Sequence, residues 1–170
     1  MKKILTIVTL ILLGCSARPQ DLKYLLASAD PEASIPHVIG AMSSASSDVI
    51  SPKAINNFHK TFKNASDEKW FELPDALRVK FTANQIQYVV YYDKKGNWLH
   101  TIRTFDVKEL PADIRQQVKT AYFDYSIVCV KEISVLHNDK TYIVYLEGPS
   151  NFINLRIANG EMDEWQKYNK

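Results

Sequence analysis

Hydrophobic residues recur along the chain with two periods, and the two periods alternate. Ile55, Phe58 and Phe62 fall at helical spacing, and Ala65 continues the same stripe. Ser51-Pro52 precedes the stripe; serine is a common helix cap and proline suits the first turn. The pattern therefore predicts a helix that begins at about residue 51 and has one apolar face.

Segments typical of β-strands follow this helix. Residues 77–82 alternate between apolar and polar side chains, as in a strand with one buried face. Residues 85–92 are rich in β-branched and aromatic side chains, and residues 98–105 continue after a turn that contains Gly96. We therefore predict three antiparallel strands after the first helix.

The second half of the chain has a similar order. A helix is predicted from Leu110-Pro111, with an apolar stripe formed by Ile114, Val118, Ala121, Tyr122 and Tyr125. Strands are predicted at 127–136, 141–147 and 152–157, with a last hairpin at Asn159-Gly160 leading toward Trp165. The expected fold is α+β, with two helices packed on one face of an antiparallel sheet. Residues 91–96 align with 155–160, but the identity is thin, so a tandem duplication is one interpretation.

The first seventeen residues have the pattern of a secretory signal peptide. Lys2 and Lys3 precede an apolar run over residues 4–13, and the small residues of Gly14-Cys15-Ser16-Ala17 follow. The run is about half of the roughly 20 residues that span a bilayer, which makes a permanent transmembrane helix the weaker interpretation. Two cleavage points remain open. Cleavage before Cys15 would follow a bacterial lipobox and leave a lipidated cysteine, whereas ordinary cleavage after Ala17 would discard it.

Residues 18–50 differ in composition from the rest of the chain. Serine, alanine and proline are frequent there, and few side chains could anchor a core. We interpret this segment as a flexible spacer, or alternatively as a variable N-terminal arm. The remaining residues, 51–170, are long enough to form one domain with its own core.

The charge balance excludes some classes of function. The 170 residues include 21 Lys and Arg and 19 Asp and Glu, and two of the cations lie in the predicted signal peptide. A nearly neutral mature chain is not expected to bind nucleic acid, which requires a surplus of cations. It is equally not expected to adhere electrostatically to an anionic membrane, so membrane contact is expected only through a lipid on Cys15.

Groups that could carry chemistry are scattered along the sequence. The four histidines show no metal-ligand spacing; they are His37, His59, His100 and His137. Cys129 lies between two valines and is expected to be a buried small hydrophobe, and Asp93 is expected to belong to a hairpin turn. No nucleophile motif, phosphate loop or dinucleotide motif is present, so we predict no catalytic residue, metal or cofactor.

Several motifs, taken in order, are similar to a known family. They are Phe58 and Phe62 of the first helix, Trp70, the turn over residues 92–98, and Leu110-Pro111 with Ile114. Over about residues 51–165 the chain resembles the PepSY-like, β-lactamase-inhibitor-like proteins of Bacteroidetes envelopes. The resemblance implies a secreted or periplasmic α+β module without established chemistry. The family is named for its likeness to an inhibitor that holds its target with a sheet surface.

Aromatic residues on the predicted strands suggest a binding surface. We expect Tyr91 to be the core member of its strand, with Tyr88 and Tyr92 pointing outward, and with Arg78 and Arg103 beside them. The leading hypothesis is a non-enzymatic envelope protein that binds a protein or peptide through this sheet face. One alternative is a core that uses both faces of the sheet. Others are a small-ligand pocket or enzyme with a cone-shaped sheet, and a purely structural envelope protein.

Overall fold

The computed structural model describes residues 50–136 and 140–170. The predicted signal peptide, Cys15, nearly all of the spacer, His37 and His137 therefore lie outside the described residues. The helices are α1 (Pro52–Thr61) and α2 (Ala112–Ala121), and a 3₁₀ turn spans Val107–Glu109. The strands are β1 (Ser66–Glu72), β2 (Ala76–Ala83), β3 (Ile86–Asp93), β4 (Trp98–Phe105), β5 (Ser126–Val135), β6 (Lys140–Glu147), β7 (Asn151–Ala158) and β8 (Glu161–Asn169).

The eight strands form one antiparallel sheet in which each strand pairs with the next one along the chain. The order is β1 to β8 without a crossover, and β1 and β8 are the two edges. The predicted α+β class and the antiparallel sheet are confirmed. Each helix is followed by four strands, and the first residues of the helices, Pro52 and Ala112, are 60 positions apart.

A first core cluster joins α1 to the strands that follow it. Ala54 and Phe58 of α1 are fully buried, and the Phe58 ring lies 4.9 Å from Phe81 and 5.6 Å from Trp70, edge to face with both. Burial of a side chain of this size stabilises a fold by roughly 1.5–3 kcal/mol. The strand members of the cluster are Trp70, Leu77, Val79, Phe81, Ala83, Val90 and Tyr92. Ile50, the last residue of the predicted spacer, is also buried in this cluster.

A second core cluster joins α2 to the later strands. Val118 of α2 is fully buried, and Leu110 just before the helix is 2% exposed. The strand members are Phe105, Val130, Tyr142, Val144, Leu146, Ile153, Leu155 and Ile157. Within the described ranges, neither helix has the length and apolar composition needed to cross a bilayer.

Successive side chains of a strand point to opposite sides of the sheet, and the strand members of both core clusters share one side by register. We call the face that carries the strand members of both clusters the helix-bearing face. The other face, on which neither α1 nor α2 packs, we call the helix-free face. Its main members, assigned by strand register, are Lys69, Phe71, Arg78, Lys80, Val89, Tyr91, His100, Ile102, Lys131, Ile133, Ile143, Tyr145, Asn154 and Arg156.

Some local predictions are wrong. The sequence pattern does not predict strand β1, because only Trp70 of its seven residues is buried and the others resemble a polar loop. Helix α1 ends at Thr61, where the N–H of Phe62 closes the last turn on Phe58, so Phe62 and Ala65 pack on the core from the following loop. Pro52 occupies the first turn as predicted, but the Ser51 side chain makes no cap hydrogen bond.

The turn between β3 and β4 packs closely against the start of α1, and this contact requires glycine. Gly96 has φ +81°, and a Cβ there would lie 2.6 Å from Oγ of Ser51 and 2.7 Å from the backbone nitrogen of Ala54. Gly160, in the turn between β7 and β8, has the same φ of +81°, but a Cβ at that position would meet no neighbouring atom within 4 Å. The two glycines therefore share a backbone constraint and differ in steric crowding.

We expect Gly96→Ala to lower the free energy of unfolding by about 2–3 kcal/mol, because it adds a clash to the left-handed backbone penalty. Gly160→Ala is the matched control and should lower it by only about 1 kcal/mol. Urea denaturation of both variants measures the difference. Equal losses would show that the β3–β4 turn does not rest against α1.

Candidate functional site

The four residues predicted to form a binding surface lie on two opposite faces of the sheet. Tyr88, Tyr92 and Arg103 belong to the helix-bearing face, and only Arg78 belongs to the helix-free face. The prediction that Tyr88 and Tyr92 point outward is wrong. Tyr91, the predicted core member of the strand, is buried, but it lies on the face of the sheet opposite to α1. Leu77 pairs with Tyr92 and Val79 with Val90, so the even-numbered residues of β3 are the ones that face α1.

Tyr92 is a central core residue. Its side chain is fully buried, its ring stacks at 5.9 Å on Trp70, and its hydroxyl donates to Oδ1 of Asn57 on α1 at 3.2 Å. Burial raises the pKa of Tyr92 to about 12. Tyr88 is half-buried and stacks on Phe81 at 5.1 Å. Both rings therefore hold the first cluster together.

Arg103 compensates a buried carboxylate. Its Nε lies 3.2 Å from Oε1 of Glu132, which is only 4% exposed, and its guanidinium covers the ring of Phe105 at 4.7 Å. Lys140 approaches the same carboxylate oxygen at 3.4 Å. Burial and the Glu132 carboxylate raise the pKa of Tyr142 beside them. An unpaired buried carboxylate would be strongly unfavourable, so this cluster serves the fold.

A row of planar side chains crosses β1 to β4 on the helix-free face. Phe71 is opposite Arg78, Arg78 is opposite Tyr91, and Tyr91 is opposite His100. The Arg78 guanidinium lies 4.6 Å from the centre of the Phe71 ring. The Tyr91 and His100 rings stack at 4.4 Å with an interplanar angle of 19°. Arg78, Tyr91 and His100 are only 5–7% exposed, so the stacked planar groups pack inside the protein.

His100 is the most unusual member of this row. It is 5% exposed, and its buried Nε2 has no hydrogen-bond partner among the described residues. Burial lowers the pKa of His100 from 6.5 to about 4. The imidazole is therefore neutral at pH 7, and its buried Nε2 is without a hydrogen-bond partner in the described part of the chain.

Beside the planar row lies an apolar strip on the same face. Ile102 of β4 is opposite Ile133 of β5, and Ile143 follows on β6. These three residues are only 3–4% exposed, although neither described helix packs on them. Strands β4 to β6 thus carry buried apolar side chains on both faces of the sheet. This agrees with the predicted alternative of a core that uses both faces.

The remaining candidate groups show no assembled chemistry. Cys129 is half-buried beside Tyr145, and its burial raises the pKa of the thiol more than the nearby Lys131 lowers it. Asp93 accepts hydrogen bonds from the backbone and side chain of Asn97, as expected of a hairpin turn. In the described parts of the chain, no three His, Cys, Asp or Glu side chains lie close enough together to hold a metal ion.

Comparison with known proteins gives the fold and no closer relationship. No family model matches the chain, and no curated protein matches it. A BLIP-like protein from Bacteroides fragilis is similar in structure, with a TM-score of 0.61 and 17% identity, over 71% of this chain and 88% of that one. This chain has the fold of that BLIP-like protein.

Two further solved structures share the BLIP-like fold. One is a candidate periplasmic protein from Bacteroides eggerthii, with a TM-score of 0.59 and 13% identity, over 71% of this chain and 88% of that one. The other is a DUF2874 family protein from Bacteroides uniformis, with a TM-score of 0.58 and 11% identity, over 69% of this chain and 88% of that one. The predicted β-lactamase-inhibitor-like fold is confirmed, whereas the PepSY-like part of the resemblance stays a prediction.

Proposed function

We propose that this protein is an exported, non-enzymatic protein of the bacterial cell envelope that binds a protein or peptide partner through its helix-free face. The observation that carries the proposal is the composition of that face. Phe152 of β7 and Tyr168 of β8 are register partners on this face and remain 39% and 44% exposed, and the half-buried Tyr145 of β6 lies on the same face. Accessible aromatic rings are typical of the energetic core of protein interfaces.

The placement in the envelope rests on the sequence and on the fold. Residues 1–17 have the pattern of an export signal. One protein with the same fold is a candidate periplasmic protein. We propose a mature protein that is either free in the periplasm or anchored to the outer membrane through a lipid on Cys15, and that belongs with the BLIP-like proteins of Bacteroides.

The non-enzymatic part of the proposal is supported by how the ionisable groups are engaged. Glu132 is held by Arg103 and Lys140, and the hydroxyl of Tyr122 donates to Glu164 at 2.9 Å. A general base is most effective when its pKa lies near the working pH, and the pKa of His100, about 4, is well below neutrality. These groups support the fold rather than a reaction.

A tandem duplication would explain the repeated element order, and it forms part of the proposal. Helices α1 and α2 are each followed by four strands. The turns at Gly96 and Gly160 both use glycine at φ +81°. The half-repeats bring β4 and β5 together at the middle of the sheet, where the apolar strip lies.

The binding proposal is tested by truncating one tyrosine on each face. Tyr145 is half-buried on the helix-free face, and Tyr122 is half-buried on the helix-bearing side. With the exported chain immobilised and solubilised envelope passed over it, we expect a saturable partner whose capture falls more than about tenfold in Tyr145→Ala. Tyr122→Ala should retain capture.

Thermal denaturation of both variants is the control for folding. Equal capture by Tyr145→Ala and Tyr122→Ala, with both variants folded, would contradict binding through the helix-free face. Loss of capture only in Tyr122→Ala would move the site to the helix-bearing side.

A further inference from the structure

Two lysines oppose each other directly on the helix-free face. Lys69 of β1 is the register partner of Lys80 of β2. Like charges directly opposite each other on one face of a sheet are destabilising. Neither lysine takes part in any ion pair that the described residues make with one another. The fold thus maintains a local concentration of positive charge at the β1–β2 edge.

Further cations continue across the same face. Arg78 lies two residues before Lys80 on β2, Lys131 lies on β5, and Arg156 lies on β7. The ammonium of Lys131 is 5.1 Å from the centre of the Tyr145 ring, so positive charge and aromatic surface are combined there.

The carboxylates of the helix-free face are placed differently. They lie at strand ends or on the opposite edge strand, and the register assigns Asp93, Glu147, Glu161 and Asp163 to this set. Asp93 is engaged by Asn97, Glu147 by Lys170 at 2.7 Å, and Asp163 lies 3.9 Å from Arg156. The side chains around the Lys69–Lys80 pair are therefore positive, and the carboxylates of this face lie at the ends of β3 and β6 and on β8.

We infer that the partner contacts this face with an acidic protein segment, whose carboxylates lie over the Lys69–Lys80 pair at the β1–β2 edge. This inference rests on the proposed function. Carboxylates there would remove the repulsion between the two ammonium groups and would be held by complementary charge.

The test uses a defined probe and charge reversal. The probe is a fluorescein-labelled peptide of alternating glutamate and tyrosine, and its lysine–tyrosine counterpart is the control peptide. We expect the acidic peptide to bind and the basic one not to bind in fluorescence anisotropy titrations. Lys69→Glu combined with Lys80→Glu should lower the affinity for the acidic peptide about tenfold. Raising the ionic strength to about 0.5 M should also lower this affinity, because the charges become screened.

A matched double variant controls for net charge. Lys60→Glu combined with Lys63→Glu makes the same change in charge at exposed residues near the end of α1. This variant should bind the acidic peptide within about twofold of the unchanged chain, since its charges lie outside the face. Equal weakening by both double variants would show an effect of net charge alone and would overturn the inference.

Partner capture separates failure of this inference from failure of the proposed function. If Tyr145→Ala abolishes capture and the Lys69→Glu, Lys80→Glu variant retains it, the face binds a partner that is not acidic, and only the inference fails. If both variants retain capture, the inference and the proposed function both fail. Charge-dependent binding to phosphatidylglycerol vesicles but not to the acidic peptide would assign the cations to a lipid surface and would also overturn the inference.

Discussion

Tyr92→Ala is expected to lower the free energy of unfolding by about 3–5 kcal/mol, the range for removing a large aromatic side chain from a packed core. The Tyr92 ring is fully buried and stacks on Trp70, and its hydroxyl is bonded to Asn57 of α1. The variant therefore loses both the packing between β3 and β1 and a link to the helix. Chemical denaturation followed by tryptophan fluorescence measures the loss.

Tyr92→Phe separates the ring from the hydroxyl. It keeps the stack on Trp70 and removes only the bond to Asn57, so we expect a loss of about 1 kcal/mol. A Tyr92→Ala variant that unfolds within about 1 kcal/mol of the unchanged chain would show that this ring is not a core residue. An outward-facing Tyr92, as the sequence pattern predicts, would give that small change, so the measurement discriminates between the two placements.

Acid is expected to destabilise the protein through His100. Burial lowers the pKa of this imidazole from 6.5 in the unfolded chain to about 4 in the folded one. Between these two values the unfolded chain binds a proton that the folded chain does not, so stability falls as the pH falls from 6.5 toward 4. The full shift corresponds to about 3 kcal/mol.

His100→Gln removes this titration and should flatten the dependence of unfolding free energy on pH between about 6.5 and 4.5. His59→Gln is the matched control, because it removes an exposed histidine of α1 and leaves the buried His100 in place. Burial by itself would raise the pKa of Asp93, but hydrogen bonds from Asn97 lower it overall from 3.8. The contribution of Asp93 to stability is therefore lost only at a pH more acidic than this range. A slope that survives unchanged in His100→Gln would show that titration of His100 does not cause it, and would contradict the prediction.

Periodicity predicted most of the elements because each half-buried strand repeats every second residue and each helix every three to four. Residues 77–82, 85–92 and 98–105 lie within or almost within β2, β3 and β4. Strand β1 escaped prediction because it is an edge strand. Its pairing with β2 leaves all but Trp70 and the half-buried Phe71 exposed, so its sequence lacks the apolar alternation of an inner strand.

The prediction of which β3 side chains point outward failed because both faces of this strand are apolar. In the run Tyr88-Val89-Val90-Tyr91-Tyr92, either set of alternate residues could form the core. A shift of one residue exchanges the two faces of a strand. Only the pairing of Val79 with Val90, together with the position of Phe58, decides that the even-numbered residues face α1.

The sequence alone determined the class of fold, the order of most elements and the pattern of an export signal, because these depend on neighbours along the chain. The tertiary structure decided which side of each strand meets a helix, and it brought together groups that are far apart in sequence. Glu132 meets Arg103, Tyr91 meets His100, and Lys69 meets Lys80 only through strand register. Register is set by the simultaneous packing of all eight strands and both helices, so these contacts have no local signal in the sequence.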